Sequence, residues 1–152
     1  MARPPLSLKG RALRLLAQRE HSRPELERKL GAHEEEPGQL ARVLDELQAK
    51  GFIDHQRVAE SVVHRRAGKL GALRLRQELQ AKGLDADSVA ATMAGLKETE
   101  LQRAREVWRR RFSAPATDAT ERARQARFLA ARGFAAEVVR KVLGDDEGMS
   151  EA

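Results

Sequence analysis

The sequence predicts an all-α protein made of three tandem three-helix repeats stacked into an elongated, curved body. Three observations carry that prediction. Ala, Leu, Arg, Glu and Gln dominate the 152 residues and aromatic residues make up only 3%, a composition that favours helices over strands. Apolar side chains recur at helical spacing along most of the chain, with no competing alternation of period two. Finally, AKGFID at 49–54, AKGLDA at 81–86 and AARGFAA at 130–136 share a basic residue, a glycine and a large apolar side chain.

Leu8, Ala12, Leu15 and Leu16 define the first amphipathic helix. The second starts at Ser22, whose spacing to Glu25 is that of a capping box, with Pro24 tolerated in the first turn. Pro37 is expected in the first turn of the third helix, whose stripe is Leu40, Val43, Leu44 and Leu47. Asp54 is the expected N-cap of the fourth, with Ala59, Val62, Val63 and Ala67 on one face. The segment RQELQAKGL (76–84) ends the fifth, and Asp85 caps a sixth carrying Val89, Met93 and Leu96. Leu101, Ala104 and Trp108 mark the seventh; Asp118 with Glu121 opens the eighth; Ala135, Val138, Val139 and Val142 mark the ninth.

The shared motif is a helix stop. Gly51, Gly83 and Gly133 each follow one helical segment and precede another, where the chain often turns left-handed and a Cβ would clash. Lys50, Lys82 and Arg132 sit where a cation favours the negative end of the helix dipole, and Phe52, Leu84 and Phe134 are placed to pack back on the helix. Gly51 ends a third helix, however, whereas Gly83 and Gly133 end second ones, so Leu30-Gly31 is the counterpart in the first unit. Aligned this way, the chain divides into units of roughly 45–50 residues, a length typical of helical repeats. The expected boundaries are 7–53, 54–97 and 98–144, followed by an acidic tail, 145–152, expected to be disordered. No unit buries its apolar face alone, so neighbours must stack.

Charge bounds the function. Against 29 Lys and Arg stand 23 Asp and Glu, a formal net charge of +6, which favours an acidic partner, nucleic acid first. There is no cysteine, so disulfides and thiolate metal sites are excluded and a cytoplasmic location is expected. No run approaches the ~20 apolar residues of a membrane span, and a monomer is expected. Enzyme signatures are missing: GKLG at 68–71 lacks the spacing of a phosphate loop, and His21, His33, His55 and His64 are scattered, with no metal-binding pair. No cofactor, metal or catalytic residue is expected.

The basic residues are unevenly placed. Residues 61–82 hold Arg65, Arg66, Lys69, Arg74, Arg76 and Lys82 against Glu78 alone, which marks a candidate binding surface. In the third unit Arg103 and Arg110 are expected to point away from the apolar stripe, Arg105 and Arg109 flank it, and Arg122, Arg124 and Arg127 follow. Arginine forks suit phosphates and carboxylates alike. With no Tyr, one Trp and four Phe, the chain has few stacking platforms for single strands. Trp108 and Phe128 are read as core, while EEE at 34–36 and the DDEGMSE tail at 145–151 are read as solvated.

The segments RALRLLAQREHSRPELERKL, GFIDHQRVAESVVHRRAGKLGALRLRQELQAKGL and ARFLAARGF, in that order, resemble the RecX family of bacterial recombination regulators over nearly the whole chain. The resemblance implies tandem three-helix repeats and binding to RecA filaments on single-stranded DNA, limiting their growth, recombinase activity and co-protease activity. It implies no catalysis. The basic residues of the second and third units then become the candidate filament- or DNA-binding face, with weaker direct DNA binding in addition. The competing reading is a sequence-specific helix-turn-helix protein with its recognition helix at 38–49, although Asp45 and Glu46 there offset Arg42 and Lys50. A third is a protein-interaction scaffold unrelated to DNA.

Overall fold

Side chains able to accept from a bare backbone amide mark where most of the helices begin. The computed structural model describes residues 5–144, and among them lie nine α-helices and no strand. In chain order these are α1 (Leu8–Gln18), α2 (Arg23–Leu30), α3 (Gln39–Ala49), α4 (His55–Arg66), α5 (Ala72–Ala81), α6 (Ala86–Leu96), α7 (Glu100–Arg111), α8 (Ala119–Ala131) and α9 (Ala136–Leu143). The acidic tail at 145–152 lies outside the described residues. Ser22 and Glu25 form a complete capping box on α2. Asp54, Asp85 and Asp118 each accept an amide N–H of the helix they precede, on α4, α6 and α8, as their short side chains favour.

The start of α3 differs from the sequence reading. Pro37 lies outside the helix, which begins at Gln39 after a left-handed Gly38 with φ +84°. The cap comes from farther back: the Glu34 carboxylate accepts the Leu40 N–H at 3.2 Å. Glu34 is therefore half-buried, while Glu35 and Glu36 are exposed as expected.

Gly51, Gly83 and Gly133 all have positive φ, at 83°, 77° and 92°. Beyond two of these stops, amides reach back to unsatisfied carbonyls: Phe52 to Leu47 at 2.9 Å and Phe134 to Leu129 at 3.2 Å. Leu84 and Phe134 are buried, but Phe52 stands 47% exposed, because the next residue, Ile53, occupies the core position in the first triplet. Gly31 is right-handed, with φ −53°, and α2 runs on into a 3-10 turn at Gly31–His33. The middle helix of the first unit thus lacks the left-handed stop that ends α5 and α8.

Three hydrophobic clusters follow one another along the chain, one per triplet. Leu26, Leu44 and Leu47 centre the first, Val62, Leu75 and Leu79 the second, and Leu129 with Phe134 the third. The dense helix pairings are α1, α2 and α3 with one another, then α4 to α6, then α7 to α9. Each fully buried leucine contributes about 1.5–3 kcal/mol of transfer free energy, so every triplet carries its own core.

The triplets join through one repeated geometry. At the first junction Ser22 Oγ, at the start of α2, donates to the carbonyl of Lys82, at the end of α5. At the second, the Gly71 N–H at the start of α5 donates to the Arg132 carbonyl at the end of α8, at 2.8 Å, and Leu73 N–H donates to the Gly133 carbonyl at 3.0 Å. In both, the positive end of one triplet's middle helix meets the negative end of the next. Backbones approach so closely that a Cβ on Gly83 would stand 2.5 Å from Pro24 Cγ, and one on Gly133 would overlap Arg74 Cγ.

Candidate functional site

The basic residues singled out in the sequence divide into two groups once placed in the fold. Several have their charge engaged. Arg66 is gripped by Glu78, whose carboxylate accepts from Nη2 at 2.9 Å and from Nε at 3.2 Å. Arg124 is similarly forked onto Glu121 at 2.7 and 2.9 Å; that hydrogen bond pulls the Glu121 carboxyl below its ordinary range. Arg74 donates to the Ala131 carbonyl at 3.0 Å, tying α5 to α8. Arg122, half-buried, donates to the Leu143 carbonyl at 3.2 Å. Arg65 reaches back to the Ser61 carbonyl of its own helix at 3.3 Å.

Arg103 departs most from expectation. Rather than pointing away from the core it is half-buried, and its guanidinium donates to the carbonyls of Ala67 at 3.0 Å, Leu70 at 2.9 Å and Leu96 at 3.4 Å. It stitches the ends of α4 and α6 to α7, where a cation suits the exposed carbonyls. Burial lowers its pKa, with Glu100 opposing.

The second group is exposed. Lys69, Arg76, Arg105, Arg109 and Arg127 make no hydrogen bond or ion pair with any described residue. Arg110 is exposed too, with Glu106 at 3.9 Å and a bond to the Gly68 carbonyl at 3.3 Å. Lys69 and Arg110 line one cleft between the second and third triplets, together with Arg111 and Arg132. Those last two were not among the binding residues read from the sequence. The signal for Arg111 was its place in the run 109–111, whereas Arg132 had already been explained by its helix end.

Phe128 is half-buried, packs against the third cluster and lines the same cleft. Trp108 is half-buried against the third cluster, with its indole N–H on Gln125 Oε1 at 2.9 Å. On α3, the helix read as a possible DNA-recognition element, Glu46 holds Lys9 at 2.7 Å and Lys50 at 2.8 Å, and Asp45 takes Arg23 at 2.7 Å. Its surface is an ion-pair network, not a cationic face. Among the described residues no three His, Asp or Glu side chains gather in a way that could hold a metal, and no helix is long and apolar enough to cross a membrane.

Three-helix units joined by this geometry have counterparts. Models of the first, second and third three-helix domains of RecX match residues 9–47, 54–93 and 98–143. The chain belongs to the RecX family. A regulatory protein RecX from Leptothrix cholodnii is 57% identical, covering 93% of this chain and 90% of its own. One from Ralstonia nicotianae is 47% identical over 94% and 90%. The crystal structure of RecX from Lactobacillus salivarius superposes with a TM-score of 0.77 at 17% identity, covering 91% of this chain and 93% of that one, and so shares the fold. Both the Leptothrix and the Ralstonia relatives are named as regulatory proteins.

Proposed function

We propose that this chain is a non-enzymatic regulator that binds RecA filaments on single-stranded DNA and limits their growth, and with it their recombinase and co-protease activities. Membership of the RecX family supports the regulatory role. The observation that supports the binding mode is the set of exposed cations on the second and third triplets, Lys69, Arg76, Arg105, Arg109 and Arg127, left without carboxylate partners among the described residues. A nucleoprotein filament offers acidic protein surface and phosphate together, and a rigidly joined array engages several protomers at once. Binding of this kind takes place in the cytoplasm, where such filaments form.

The test is the rate of DNA-dependent ATP hydrolysis by the cognate RecA on single-stranded DNA, with and without the chain, at two salt concentrations. Suppression at far less than one chain per RecA, weakening as salt rises, is the expected result. An unchanged rate, with sequence-selective duplex binding in its place, overturns the proposal.

A further inference from the structure

The cleft between the second and third triplets has a volume of about 360 Å³, and among the described residues its lining includes Lys69, Arg110, Arg111, Phe128 and Arg132 but no carboxylate. Its floor is aromatic. Phe128 packs edge-on against the buried Phe112, with centroids 5.4 Å apart and rings at 87°. The Arg132 guanidinium lies 5.0 Å from the Phe128 centroid, and that of Arg111 lies 5.7 Å from Phe128 and 5.2 Å from Phe112. Neither arginine side chain makes a hydrogen bond or ion pair with a described residue. Arg111 feels the charge of Glu121, but that carboxylate is taken by Arg124 at 2.7 Å.

A guanidinium resting on an aromatic face keeps its N–H fork available and loses little rotamer freedom when an anion arrives. The walls are fixed as well, since the Arg132 carbonyl takes the Gly71 N–H at 2.8 Å and Arg110 donates to the Gly68 carbonyl at 3.3 Å. We propose that this cleft is a phosphate-binding site for the backbone of single-stranded nucleic acid, with Arg111 and Arg132 as fork donors and Lys69 and Arg110 as flanking charges. The two non-bridging oxygens of a phosphodiester stand on a tetrahedral centre, and each accepts from a different fork. A flexible single strand can dip a phosphate into a recess that a stiff duplex bridges. Because Arg132 and Arg111 already rest on Phe128, recognition is of backbone rather than base, and is indifferent to sequence. The proposal rests on the reading above for where such a strand is met, inside the filament.

Fluorescence anisotropy of a labelled oligodeoxythymidylate with the full chain, over a series of salt concentrations, tests it without RecA. The pair Arg111→Gln and Arg132→Gln is expected to lower affinity about tenfold at low salt and to flatten the log–log salt slope by about 1.4, two contacts at about 0.7 each for a single strand. Phe128→Leu, which keeps every charge, is expected to weaken binding with the slope unchanged, and circular dichroism checks helicity. Wild-type slope and affinity in the glutamine pair overturn the proposal. If that pair loses helicity, wild-type affinity in Phe128→Leu overturns it instead. Polyglutamate displacing the oligonucleotide as well as polyphosphate at equal charge also overturns it, because the cleft then takes carboxylates. Failure of the filament reading is seen elsewhere, in a RecA rate of ATP hydrolysis that the wild-type chain leaves unaltered.

Discussion

Gly71 and Gly133 meet backbone to backbone at the second junction. A Cβ on Gly71 would stand 2.5 Å from the Gly133 carbonyl carbon and closer still to the Phe134 amide nitrogen. Gly71 has an ordinary φ of −83°, so alanine there meets only the steric barrier, about 1–3 kcal/mol for overpacking against backbone that cannot yield. At Gly133 the positive φ adds about 1–2 kcal/mol. At Gly51, where a Cβ meets nothing within 4 Å, only that conformational part remains. Urea unfolding is expected to rank Gly133→Ala as most destabilised and Gly71→Ala as losing the second junction although its backbone conformation suits alanine. A Gly71→Ala protein as stable as wild type would contradict close docking of the triplets.

Glu25 gives the first junction a pH dependence. Burial works to raise its pKa, but a hydrogen bond from Arg19, the Ser22 amide and the nearby Lys82 outweigh it and hold the carboxyl at about 2, against an ordinary 4.5. The group is depressed on folding, so its stabilisation is present above pH 4.5 and is lost as pH falls toward 2. The shift corresponds to about 3 kcal/mol. His21 beside it is held neutral by burial, with Lys29 donating to Nε2 at 3.1 Å, and its pKa falls below 6.5, which adds loss of stability as pH drops below that value. Glu25→Gln is expected to be less stable at pH 7 and to lose the share of the dependence between pH 4.5 and 2 that Glu25 contributes in thermal unfolding, with Glu46, Asp85 and Glu121 still titrating.

Arg103 is expected to matter for stability. Its removal leaves the carbonyls of Ala67, Leu70 and Leu96 short of a charged donor, at about 1.5–3 kcal/mol. Lysine, a single point donor, does not replace the fork. Urea midpoints of Arg103→Ala and Arg103→Lys should both fall, the alanine variant further.

Charge reversal separates the engaged cations from the unpaired ones. Arg76→Glu, Arg105→Glu and Arg109→Glu together are expected to stay within about 1.5 kcal/mol of wild type, since each is exposed and without a partner among the described residues. Suppression of RecA ATP hydrolysis by this variant should weaken at least about tenfold, as expected where removed charges faced phosphate. Arg66→Glu, which sets a second carboxylate against that of Glu78, and Arg74→Glu, which breaks the bond to Ala131, should lower stability as well. Wild-type suppression by the triple variant would place the binding face elsewhere.

Much of the architecture was legible in the residues alone because helices are specified locally. Leu40, Leu44 and Leu47 announce their buried face through spacing, Ser22 and Asp54 announce helix starts because a cap acts within three residues, and Gly51, Gly83 and Gly133 announce stops because only glycine adopts positive φ without strain. Family resemblance was legible for the same reason, residing in the order of those segments. Contacts across long sequence separations were not. That Gly83 must also make room for Pro24, that Ile53 displaces Phe52 from the core, and that Arg103 turns inward to three carbonyls depend on which helix ends meet. Every exposed-looking arginine reads alike in a sequence, but its effective charge depends on whether a carboxylate or carbonyl arrives beside it in space. Tertiary structure alone gave Arg66 to Glu78, left Arg76 without a partner among the described residues, and brought Arg111 and Arg132 over Phe128, because the packing of one helix on another decides which charges are neutralised and which face a partner.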